Sequence, residues 1–152
     1  MKAILKLTLI VFCTITASCN KDQQLIAKIA GEYKIESIIN YKDGQGTPAV
    51  FTSGKIYFED CAMKDGVGGN CAGWYEFDNK PRVTFQYHTI RDKSNKLINI
   101  TGLSSLTEPN LSSYYEFEAE GNKLILTGEE RTGSANGVPS PTTSINVQLS
   151  KL

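Results

Sequence analysis

One histidine, four cysteines and several paired carboxylates are the groups in this 152-residue sequence able to do chemistry. His88 closes the run Val83-Thr84-Phe85-Gln86-Tyr87-His88, in which apolar and polar residues alternate. Alternation places His88 with Thr84 and Gln86, on the side opposite Phe85 and Tyr87. Nucleophilic catalysis would want a Gly-x-Ser-x-Gly elbow beside it, and the chain contains none. The carboxylates fall at Glu59-Asp60, at Glu116, Glu118 and Glu120, and at Glu129-Glu130. Glu116 and Glu118 alternate with Tyr115 and Phe117, the pattern of a solvated sheet face. A glycosidase pair would have to meet across different strands. No catalytic residue is assigned, and an enzyme is the least supported reading.

Cys61 and Cys71 bracket a short, glycine-rich stretch between two segments that read as neighbouring strands. A zinc site needs more ligands than the nearby Asp60 and Asp65 supply. Redox chemistry favours the closer Cys-x-x-Cys spacing. Two strands pairing as a hairpin would bring the two sulfurs to the base of the loop, so a structural disulfide is expected. Closing so short a loop contributes about 2–3 kcal/mol. Within it, Asp65-Gly66-Val67-Gly68-Gly69-Asn70 lacks both the following helix of a phosphate loop and the spaced carboxylates of a calcium loop. No metal and no cofactor are expected.

The remaining cysteines belong to the amino terminus. Lys2 and Lys6 precede the apolar run Leu7 to Ile15, and the small residues Thr16-Ala17-Ser18 lead to Cys19. A basic start, a short apolar core and a small-residue exit are the layout of a secretory signal, here residues 1–18. The run falls well short of the roughly 20 residues that span a bilayer. Thr16-Ala17-Ser18-Cys19 resembles the lipobox of bacterial lipoproteins. That resemblance implies diacylglycerol on the Cys19 thiol, cleavage just before it and acylation of the new amine. Each buried CH₂ contributes about 0.8 kcal/mol, and two or more chains make attachment stable. Asn20 differs from the Asp associated with inner-membrane retention, which favours the outer membrane. Lys21-Asp22 resembles an export tag of surface-displayed lipoproteins, leaving the periplasmic and exposed sides both open. In either compartment oxidation of Cys61 and Cys71 is permitted.

Loss of the leader removes Lys2 and Lys6, leaving 14 basic residues against 16 acidic ones. A near-neutral chain without a basic cluster is a poor nucleic-acid binder. Residues 19–30 read as a lipid-anchored polar tether, with one helical turn within Leu25-Ile26-Ala27-Lys28-Ile29-Ala30. Residues 31–152 read as one domain.

Strand grammar fills that domain. Tyr33, Ile35, Ser37 and Ile39 alternate with Glu32, Lys34, Glu36 and Ile38, giving a first half-buried strand. Further strands are expected at Lys55–Glu59, Gly73–Phe77, Val83–His88, Leu97–Thr101, Tyr114–Glu118, Lys123–Thr127 and Ser144–Leu149. Turn residues separate them, among them Asp43-Gly44, Asp78-Asn79-Lys80-Pro81 and Glu120-Gly121-Asn122. Eight short strands without a long helix predict an all-β, antiparallel up-and-down barrel, with a sandwich as the alternative. Closure is favoured because it removes the sheet edges that invite aggregation.

From Gly31 to Leu152 the chain resembles the bacterial lipocalin-like lipoproteins. Gly31-Glu32-Tyr33-Lys34-Ile35 is similar to the family's Gly-x-Trp opening, with Tyr33 in the tryptophan's place. The resemblance implies a closed end plugged by Tyr33. The mouth would be ringed by Tyr41–Ser53, Asp78–Pro81, Leu103–Ser112 and Glu130–Thr143. Long loops on a stiff scaffold carry recognition.

Aromatics on the alternating strands either fill such a barrel or line a ligand cup. Trp74, Phe85, Tyr87, Tyr115 and Phe117 are the candidate ligand contacts. Tyr87, Tyr115 and Trp74 lead because each joins apolar area to a hydrogen-bond donor. The leading expectation is therefore a membrane-anchored barrel holding a small apolar or amphipathic ligand. The rival is an interaction protein or hydrolase inhibitor whose loops grip an envelope protein or glycan.

Overall fold

A computed structural model describes residues 21–49, 53–62, 69–92, 95–102, 111–128, 134–135, 138–139 and 143–152. The expected leader, Cys19 and most of the glycine-rich loop lie outside them, as do parts of the expected mouth loops. Among the described residues no helix is long and apolar enough to cross a membrane.

The eight expected strands are present, as β1 (Gly31–Lys42), β3 (Gly54–Phe58), β4 (Cys71–Phe77), β5 (Val83–Asp92), β6 (Asn95–Gly102), β7 (Ser113–Glu120), β8 (Lys123–Gly128) and β11 (Thr143–Lys151). Each pairs antiparallel with the next, and β11 returns to pair with β1, so the sheet closes into a barrel rather than splitting into a sandwich. Three short additional strands are β2 (Gln45–Pro48), β9 (Ser134–Ala135) and β10 (Val138–Pro139); the last two pair only with each other.

The first expected mouth loop is largely strand. β1 runs on to Lys42, turns at Asp43-Gly44 and returns as β2, with Lys42 opposite Gln45. Asp43 and Gly44 both have positive φ, 50° and 79°. That is the two-residue hairpin turn whose twist matches the flanking strands, and Asp-Gly is among its preferred sequences. β1 thus pairs with β3 along its first half and with β2 along its second.

Simple alternation along β1 also fails at one point. Ile35 faces Leu149 and Ser37 faces Gln148, so Glu36 and Ser37 share a bulge against β11. A bulge inserts one residue and reverses the side on which later residues point. Tyr33, Ile35 and Ile38 are buried, whereas Ser37 and Ile39, expected with them, are only partly covered.

The largest departure precedes the barrel. Instead of a polar tether, Lys21–Ile29 forms a helix, α1, with Asp22 in its first turn and Lys28 in its last, both favourable to the helix dipole. Leu25, Ile26 and Ile29 line one stripe and are at most 3 % exposed. They join the same core as Tyr33, Phe58 and Tyr87, and α1 packs against β5. The helix therefore covers the end of the barrel where β1 begins and β3 finishes. Three apolar residues at helical spacing suffice to dock it; the polar remainder, Asp22-Gln23-Gln24, disguises it in sequence.

Candidate functional site

Four of the five candidate contacts lie inside the barrel. Phe85, Tyr87, Tyr115 and Phe117 are all at most 2 % exposed. Phe85 sits 5.6 Å from the Phe58 ring and 6.1 Å from Tyr75, while Tyr87 lies 5.3 Å from Phe58 in an edge-to-face contact. Tyr33 meets Phe58 edge-on at 6.2 Å. Gly73 makes this packing possible, because a Cβ there would stand 2.4 Å from the Phe85 ring. These distances fall within the range of favourable aromatic pairs.

The polar ends of the inward tyrosines are already engaged. Tyr115 donates its hydroxyl proton to the Leu111 carbonyl at 2.8 Å, and Tyr87 donates to the Glu59 carbonyl. Burial pushes the Tyr87 phenol well above its ordinary value of 10, and the charges of Asp60 and Glu59 add to the shift. Burial alone raises Tyr33. Both phenols therefore stay neutral throughout the physiological range.

Tyr87 belongs to a structural knot at the closed end. Cys61 and Cys71 are joined by a disulfide with Cα atoms 5.6 Å apart. Ala72 donates its backbone N–H to the Glu59 carboxylate at 3.1 Å, and Glu59 returns a bond to the Ala72 carbonyl at 3.0 Å. Gln23 of α1 donates its side-chain amide to the Cys61 carbonyl at 3.0 Å. Helix, disulfide loop and Tyr87 are thus tied into one cap.

Trp74 is the exception among the five. It alternates with the buried Tyr75 and points outward, level with Tyr57 on β3 and Thr84 on β5. The Tyr57 and Trp74 rings lie 5.9 Å apart at 26°, a stacked pair on the barrel's exterior. Arg82 places its guanidinium 3.7 Å from the indole centre, a cation–π contact. Two ion pairs flank the rings: Lys55 to Glu32 at 2.9 Å and Arg82 to Glu76 at 3.0 Å. Trp74, the four ion-paired residues, Gly54 and Asp78 line an exterior groove of about 300 Å³ beside the Asp78–Pro81 turn. Tyr57, Lys55 and Arg82 were not singled out from sequence. The parity of Trp74 against Tyr75, combined with the β3–β4 hairpin, is the signal that locates them.

His88 is half-buried on the outer face opposite Asn99, and Glu116 and Glu118 are exposed there, as alternation implied. Among the described residues no group of three or more His, Cys, Asp or Glu side chains could hold a metal ion. In comparison with known proteins, no family model, no curated protein and no solved structure matches this chain.

Proposed function

We propose that this is a lipid-anchored, non-enzymatic binding protein of the bacterial cell envelope, a lipocalin-like barrel that binds a macromolecule through its mouth loops and exterior. The observation that carries this reading is the state of the interior. Phe58, Phe85 and Tyr87 contact one another, and the Tyr87 and Tyr115 hydroxyls are spent on the chain's own carbonyls. A cup that orients a ligand keeps a few polar groups aimed at it. Here those groups secure loops instead, which favours the macromolecular partner over the small apolar ligand expected first. The lipobox resemblance at Cys19 supports the anchor, and the paired cysteines are consistent with an oxidising compartment.

Native mass spectrometry of the processed protein, gently purified, tests the choice. The expected spectrum shows protein and acyl chains only; a stoichiometric additional small molecule would restore the cup reading and overturn this one. Cys19→Ser should abolish incorporation of labelled fatty acid and release the protein from membranes. Continued labelling would refute the anchor.

A further inference from the structure

We draw no further inference here: the strongest candidate, the exterior groove beside Trp74 on the outer face of the barrel, carries nothing, because Arg82 already covers the indole at 3.7 Å and nothing in the structure shows what covers the rest.

Discussion

Ile26 is the residue on which the role of α1 can be decided. It is completely buried, and its neighbours in the core include side chains of the barrel itself. Truncation to alanine removes three carbons from a site closed by both helix and sheet. Large-to-small changes at buried isoleucine and leucine cost about 2–5 kcal/mol, and full burial puts Ile26→Ala near the middle, about 3 kcal/mol. Against a total of roughly 5–15 kcal/mol for a domain, that is a substantial share. With a urea slope of about 1.5 kcal/mol/M, the unfolding midpoint should fall by about 2 M. The assay is equilibrium urea unfolding of residues 19–152 carrying Cys19→Ser, with the disulfide intact. Gln24→Ala, exposed on the same helix, is the control and should stay within about 0.5 kcal/mol of the parent. If the two variants unfold together, α1 is not part of the core and the reasoning fails.

Other outcomes follow from the closed end and the interior. Gly73→Ala should destabilise by about 1–3 kcal/mol, because the new methyl meets the Phe85 ring and the Tyr57 carbonyl oxygen, 2.7 Å away; an unchanged midpoint in urea would contradict that packing. Replacing Cys61 and Cys71 by serine opens a loop of sequence separation 10 and should cost about 3 kcal/mol on the chain-entropy account, measured by the same unfolding assay. Tyr115→Phe should cost about 1 kcal/mol by leaving the Leu111 carbonyl without its hydroxyl partner, and a neutral result would deny that bond a role. Tyr33 and Tyr87 are held neutral past the ordinary phenol value of 10. The stability they lend is fully present below that pH and is lost as pH climbs toward their folded values, since the unfolded chain ionises first. Phenolate absorbance in the folded protein should accordingly lag behind that of exposed tyrosines, and two tyrosines fewer lagging in Tyr33→Phe/Tyr87→Phe would identify them.

Most strands could be read from residue parity alone, because one face of a closed sheet is dry and the other wet. Val83, Phe85 and Tyr87 against Thr84, Gln86 and His88 is the plainest instance, and the structure sorts them accordingly. What parity cannot express is an inserted residue: the bulge at Glu36-Ser37 leaves no mark in composition, yet it exchanges Ile38 for Ile39 in the core. β2 was hidden for a different reason. Gln45-Gly46-Thr47-Pro48 is exposed throughout and held by its turn and its partner, so it has no apolar side to announce it. The helix offered three large apolar residues among nine, enough to dock against a barrel but too few to stand out against a linker. Of the candidate contacts, chemistry chose Trp74 and Tyr87 together, whereas position separates them by the thickness of the sheet. Residue type names what a side chain is able to do; only its neighbours show whether that capacity is already used.

Were the chain cut just before Cys19, the short stretch left ahead of α1 would govern how the molecule stands. Only Asn20 intervenes between Cys19 and the helix, and each extended residue spans at most about 3.6 Å. Acyl chains on Cys19 would consequently seat the capped base almost flush with the bilayer and give the domain no leash on which to swing. Its opposite rim, with the Trp74 groove beside it, would face outward at a fixed height. If Cys19 is acylated and the domain binds a partner, that partner would have to arrive within a barrel's length of the lipid.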